Sequence, residues 1–269
     1  MEPKSVFTNF KKYSILLGIL TLLLLSGCQS ASFEPINANS TGWFDHNFVY
    51  PFSLLIKGIA ALFNDNYGLS IIIITLVIRL ILMPFILKQT KNSVQMKEKM
   101  EKIKPELHAL QEKYKDKKDM ESKTKMQQEM MELYQKHNMN PLASLGGCLP
   151  MVIQFPILIA FYYAIRRTPE IATHSFLWFD LGQSDIILTV LAVVIYFFQF
   201  KVSQIGMDPK LKQQMAIMGL ISPIMIGVIS LTAPAALPLY WAVGGLFMII
   251  QTTISRKIYL SATNTSENK

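Results

Sequence analysis

Residues 69–87 read LSIIIITLVIRLILMPFIL. At about 1.5 Å of rise per residue, this run is long enough to cross a hydrocarbon core about 30 Å thick. Its single charge, Arg79, stands near the middle. A guanidinium at that depth costs about 2.5–3.5 kcal/mol on insertion scales, so an intramembrane Arg is by default a functional feature. No Asp or Glu lies at a comparable depth in any other apolar run of the chain. The sequence therefore predicts a polar, hydrated pocket around one cation whose counter-charge comes from elsewhere.

The rest of the chain fits a membrane setting. Of its 269 residues 51% are apolar and only 16% charged, and the charges are bunched rather than spread, which is not the globular pattern. A second uncharged run covers Met139 to Ile165, and a third, Ile186 to Phe200, reaches a full crossing if Lys201 snorkels and the helix continues toward Gln204. From Gln213 to Ser255 no charge occurs; as one helix this would extend about 65 Å, twice the membrane thickness. It must fold back, and Thr232, Pro234 and Pro238 mark the reversal between a fourth span near Leu211–Leu231 and a fifth near Leu237–Ile258.

Basic residues orient the spans. The segment from Lys88 to Asn138 holds 13 Lys, whereas Cys28 to Gly68 holds only Lys57, which places the former in the cytoplasm. Arg166 and Arg167, at the outer end of the second span, are the exception. Upstream, Lys4, Lys11 and Lys12 precede an apolar stretch, Ile15 to Leu25, and then Ser26, Gly27 and Cys28. That order is a secretion signal, and Leu25 to Cys28 resembles the bacterial lipoprotein box, with Cys28 as the lipidated residue.

Two connecting segments carry helical patterns. Phe52, Leu55, Ile56, Ile59, Leu62 and Phe63 recur at helical spacing before the turn residues Asn64 to Gly68, as in an interfacial helix. Met96, Met100, Ile103, Leu107, Leu110 and Tyr114 form a heptad-like seam, repeated by Met126, Met130, Leu133 and His137 after the charged break Lys115–Asp119. The two seams predict an antiparallel helical hairpin, with Pro105 bending its first arm. Thirteen Lys against 9 acids also fit contact with anionic lipid or ribosomal RNA, without a base-reading surface.

The chain thus reads as an all-α integral membrane protein. Five transmembrane helices are expected, with a cytoplasmic helical hairpin between the first and second and an outer amphipathic helix before the first. The divisions are a signal at 1–27, an extracytoplasmic segment at 28–66, the first span at 67–88, the hairpin at 89–138, spans two to five within 139–258 and a short cytoplasmic tail at 259–269. Around Arg79, Thr75 shares its helix face one turn earlier, while Gln154, Gln199 and Gln251 place amides in three other spans. These amides fit either a hydrophilic groove in the inner leaflet or helix-to-helix glue. Trp241 fits a groove wall or an interfacial belt. The four histidines show no metal spacing and no phosphate-cradling Gly loop occurs, so neither an enzyme nor a cofactor is expected. A secondary transporter or anion channel that uses Arg79 for selection is the rival reading.

Arg79 with Pro84, the Lys-rich hairpin with Lys104, Pro105 and Tyr134, and the run Asn140, Pro141, Leu142 to Gly147, Cys148, Leu149, Pro150, Met151, then Gln154, Phe155 and Pro156, resemble the YidC membrane protein insertase family. The resemblance covers roughly Trp43 to Tyr259 and is closest to the Gram-positive type, with a lipoprotein signal and five spans. It implies a lipid-open groove, lined by Arg79, Thr75, Gln154, Gln199, Trp241 and Gln251, that attracts the acidic tail of a nascent membrane protein and guides its first apolar segment into the bilayer. The implied partners are nascent membrane proteins, membrane lipid, the ribosome, targeting machinery and the Sec translocon, with no specific nucleic-acid sequence.

Overall fold

The computed structural model describes residues 34–117, 119–139, 149–205 and 209–267. The expected signal segment, the lipidation site Cys28 and most of the Asn140 to Cys148 run lie outside them. After a π-helical turn, Asp45–Val49, the described residues form seven longer helices, α1 Tyr50–Leu62, α2 Tyr67–Tyr114, α3 Met120–Lys136, α4 Leu149–Arg167, α5 Ile186–Ser203, α6 Pro209–Ser230 and α7 Ala236–Glu267, with a four-residue helix, Pro169–Ala172, after α4. Among the described residues, α2, α5 and the Ala236–Ile258 part of α7 are long and apolar enough to cross a membrane. Helices α4 and α6 occupy the places of the second and fourth spans. The reversal at Thr232–Pro234 falls between α6 and α7 as the prolines predicted.

The helix starts are set by side chains that accept orphan backbone N–H groups. Asn66 Oδ1 accepts from Leu69 N at 2.9 Å, Asp119 Oδ2 from Ser122 N at 2.7 Å, and Asp185 Oδ1 from Leu188 N at 2.6 Å. Helix α7 packs against α2 and α5, and α6 packs against α5. The outward faces carry exposed Val77, Leu80 and Ile81 on α2, Val190, Val194 and Phe198 on α5, and Ile221, Ile224 and Val228 on α6. Apolar surface facing outward is the solution for a protein whose solvent is lipid.

Four features go beyond the sequence expectation. The first span and the first hairpin arm are one continuous helix of 48 residues, with Pro84 and Pro105 inside it; its length is about 72 Å. Each proline removes a single i−4 bond, and the surrounding Lys, Glu, Gln and Met are strong helix formers, so no boundary forms at residue 88. At the other end, α7 runs on to Glu267; no Gly or Pro lies between Gly245 and Glu267 to stop it. Beside the helices, Ser175–Phe176 and Phe179–Asp180 pair as a minimal antiparallel hairpin, β1 and β2. Finally, α1 divides its apolar stripe, with Phe52, Ile56 and Ile59 toward the protein core. Ser53, Ile56 and Ala60 are buried while Leu54, Leu55, Leu62 and Phe63 stand exposed. Against lipid, close packing of small residues selects the protein-facing stripe, because Leu gains nothing by leaving an apolar solvent. Ser53 Oγ lies 2.7 Å from Thr168 Oγ1, and Ser70 Oγ donates to Ile56 O at 2.7 Å.

The expected cytoplasmic hairpin is present as the lower part of α2 against α3. Ile103 and Tyr114 are buried, and the other seam residues are half-buried. Salt links zip its two ends: Glu129 takes Lys113 at 2.7 Å and the Tyr114 hydroxyl at 2.8 Å, while Glu106 takes Lys136 at 3.1 Å and His137 at 2.9 Å. The Lys136 ammonium beside Glu106 and the Lys113 ammonium beside Glu129 hold both carboxyls below the usual carboxylate range.

At the outer end, Arg167 explains one of the two basic residues that sat on the wrong side. It is buried and paired with Asp45 at 2.6 Å, its Nε donates to Glu34 O at 2.9 Å, and Ile36 N donates to Arg167 O at 2.9 Å. The cation is neutralised locally and straps the N-terminal segment to the end of α4. Removing one partner of such a pair leaves a buried charge, so Asp45→Ala is expected to cost about 3 kcal/mol, most of it recovered when Arg167→Met is added; detergent-phase thermal unfolding measures both.

For the hairpin, a depressed carboxyl pKa contributes stability in full above its ordinary value of about 4.3, and that contribution is lost as pH falls through the lowered folded value. Acid should therefore open the arms below that range. A pulsed-EPR distance between labels at Gln111 and Gln128 reads the opening, which Glu106→Gln with Glu129→Gln should shift to neutral pH.

Candidate functional site

Arg79 lies 12 residues past the start of α2, about 18 Å along its axis. No terminus of the helix is near enough to solvate it, yet the side chain is only 6% exposed. Its surroundings are protein. Nη1 donates to Gln154 Oε1 on α4 at 3.1 Å, and Gln154 Nε2 donates in turn to the Tyr240 hydroxyl on α7, also at 3.1 Å. Among the described residues, no carboxylate forms an ion pair with Arg79. The cation is met by a neutral amide, whose orientation is fixed by the tyrosine behind it.

The opposite edge of the guanidinium faces α7. A Cβ built on Gly244 would come within 3.0 Å of Arg79 Nη2 and 3.4 Å of Nε. Glycine at 244 is thus what lets the α7 backbone close on the fork edge, the pair of N–H groups that matches a carboxylate in bidentate fashion. Three helices therefore meet at one side chain: α2 supplies the charge, α4 a neutral acceptor and α7 a bare backbone. Above this level, toward the outer end, Ile71, Ile74, Phe161, Leu237 and Tyr240 form a packed apolar cluster.

The other sequence candidates are distributed differently. The Thr75 hydroxyl is buried and donates to Ile71 O at 2.7 Å within its own helix, a local bond common for Thr in apolar helices. Trp241 is buried and packs in the core cluster with Leu237 and Tyr240. Gln199 is half-buried on α5. Gln251 is buried on α7 with Nε2 unpartnered among the described residues. It lies seven residues from Gly244, two turns along the same face toward the C-terminal end of α7. Sequence reading missed Tyr240 and Gly244. Both had a signal: they are four residues apart on one face, and a Gly pair within an apolar run marks close helix approach.

With this geometry in place, the chain can be set beside known proteins. A family model described as 60Kd inner membrane protein matches residues 58–262. The chain belongs to that family. It is 47% identical over 253 residues to "Membrane protein insertase YidC 2" of Listeria monocytogenes serotype 4b (strain F2365), covering 93% of this chain and 90% of the relative. Against "Membrane protein insertase YidC" of Oceanobacillus iheyensis the identity is 48% over 253 residues, covering 92% and 97%. Against "Membrane protein insertase MisCB" of Bacillus subtilis (strain 168) it is 45% over 258 residues, covering 91% and 92%. Among solved structures, one titled "Active YidC insertase crystal structure with the first transmembrane domain resolved" superposes with a TM-score of 0.52 at 28% identity. The match covers 78% of this chain and 46% of that one, so the chain aligns with about half of the solved chain.

Because Nη2 faces Gly244, Gly244→Ala should be absorbed by a small guanidinium shift, whereas Gly244→Leu should displace the group from Gln154 and destabilise the helix triad. A double-mutant cycle with Arg79→Ala, read by thermal unfolding in detergent, is expected to show about 1 kcal/mol of coupling for the Leu variant.

Proposed function

We propose that this chain is a membrane protein insertase in which Arg79 is the electrostatic receptor for acidic tails of nascent membrane proteins. One observation carries the reading: a buried, permanently charged guanidinium whose resting partner is the neutral Gln154 amide rather than a carboxylate. An incoming carboxylate would meet the Nε/Nη2 edge beside the Gly244 backbone, and a charge-assisted bidentate bond there is stronger than the bond to an amide. The amide keeps the cation satisfied between substrates without neutralising it.

Gln251 and Gln199, below Arg79 on α7 and α5, are the proposed polar lining of a groove open toward the cytoplasm, with Thr75 and Trp241 shaping its upper wall. Insertion then needs no nucleotide. Burial of the substrate's own apolar segment in lipid supplies the drive, while the attraction to Arg79 lowers the barrier for the polar tail that must travel with it.

The proposed topology has five spans, with α4 and α6 as the second and fourth, the hairpin and C-terminus in the cytoplasm, and the N-terminus outside, lipid-anchored at Cys28. The Arg167–Asp45 pair supports this orientation, because it removes Arg167 from the mobile positive charges that the positive-inside rule counts. The hairpin, with its exposed lysines, is the proposed receiving surface for the ribosome, the targeting machinery or the Sec translocon.

Proteoliposome insertion of a short membrane protein with an acidic extracytoplasmic tail tests the mechanism. Arg79→Ala is expected to lower insertion about tenfold, the equivalent of about 1.4 kcal/mol of lost attraction, while Arg79→Lys keeps most of it. Equal loss in both variants would refute charge attraction. Arg79-dependent anion flux without insertion would establish the transporter reading instead.

A further inference from the structure

The β1–β2 hairpin ends in a two-residue turn, Leu177–Trp178, between the paired Phe176 and Phe179. Leu177 adopts φ +55°, a left-handed conformation that normally selects Gly or Asn. At this strained position the chain places a leucine that is 74% exposed, followed by a tryptophan that is 54% exposed. Strain combined with outward apolar display is the kind of outlier that points to a function.

The height of the turn in the fold is defined. The His174 ring lies 4.6 Å from that of Tyr67, the first residue of α2, and Phe176 packs on Gly68, where no Cβ would fit. Leu181 O and Gln183 O, just past β2, accept from Ala236 N and Ala235 N at the start of α7 at 3.1 and 2.7 Å. The turn is therefore held level with the outer ends of α2 and α7. Helix α5, which begins five residues after Leu181, has 18 residues. That is about 27 Å, so nearly all of it is needed to cross a core about 30 Å thick. Its first turn displays exposed Ile186 and Ile187, which places the outer hydrocarbon boundary at this level. Exposed Leu62 and Phe63 precede the same end of α2. No charged residue lies between Ser175 and Phe179.

We infer that the Leu177–Trp178 turn is a membrane anchor, seated between the headgroups and upper acyl carbons of the outer leaflet. Lipid is the fitting occupant because the turn continues the lipid-facing surface of the helices at the depth where tryptophan, apolar with a single N–H donor, partitions best. The anchor fixes the level of the outer cap, and through rigid α2 the depth of Arg79. The anchor itself does not depend on the insertase reading.

The test uses the full chain reconstituted in vesicles, with the Trp178 signal taken as the difference between the intact protein and Trp178→Phe. Phospholipid brominated near the top of the acyl chain is expected to reduce that signal by about half, with little quenching by aqueous acrylamide. Leu177→Gly relieves the left-handed strain, so it should hold or raise the thermal midpoint in detergent while reducing the bromolipid quenching. A Trp178 signal open to acrylamide and blind to bromolipid would overturn the proposal. So would photo-crosslinking from position 178 in native membranes that captures protein instead of lipid.

Discussion

A guanidinium cannot shed its proton at any accessible pH, so a chain that carries one about 18 Å along a membrane helix must build its surroundings to suit a permanent charge. Much of this fold follows from that requirement. Helix α4 brings Gln154 to Nη1, Tyr240 on α7 holds the amide with its oxygen toward the cation, and Gly244 admits the α7 backbone to the other edge. A carboxylate from the chain itself would satisfy the charge more strongly and make it unavailable. An amide satisfies the guanidinium without neutralising it, unlike the carboxylate of a structural ion pair.

The two ends of the molecule solve different problems. Outside, the strap through Arg167, Asp45 and Ile36, the contact of Phe176 with Gly68, and the bonds from Ala235 and Ala236 to the cap close the helix ends over a packed cluster. At the opposite end, α2 extends as one rod into the hairpin, and Gln251 and Gln204 keep amide nitrogens unpartnered among the described residues. A continuous helix couples the hairpin mechanically to the helix that bears Arg79, with no flexible joint at the membrane surface. Arg256 completes the inner side by donating to Val202 O and Ser203 O, the terminal carbonyls of α5, so it acts as a cap and not as a free cation.

Membrane helices are legible from sequence because hydrocarbon leaves the backbone few alternatives and the length of each apolar run is dictated by bilayer thickness. The turn at Thr232–Pro234, the hairpin seams and the importance of Arg79 could all be read this way, since each rests on local composition or periodicity. Which face of α1 meets the protein could not, because in lipid an apolar stripe no longer marks the buried side. Nor could the fate of Pro84, where helix continuity depends on what flanks the proline as much as on the proline itself.

The sequence by itself determined that a charged residue would lie at membrane depth and that no acidic residue in another apolar run would offset it, because charge and hydropathy are properties of the linear chain. Tertiary structure alone decided what replaces the counter-charge. Gln154, Tyr240 and Gly244 belong to separate segments, and their meeting at Arg79 depends on helix rotation and closeness of approach, which are set by side-chain packing between helices and leave no mark in any one of them.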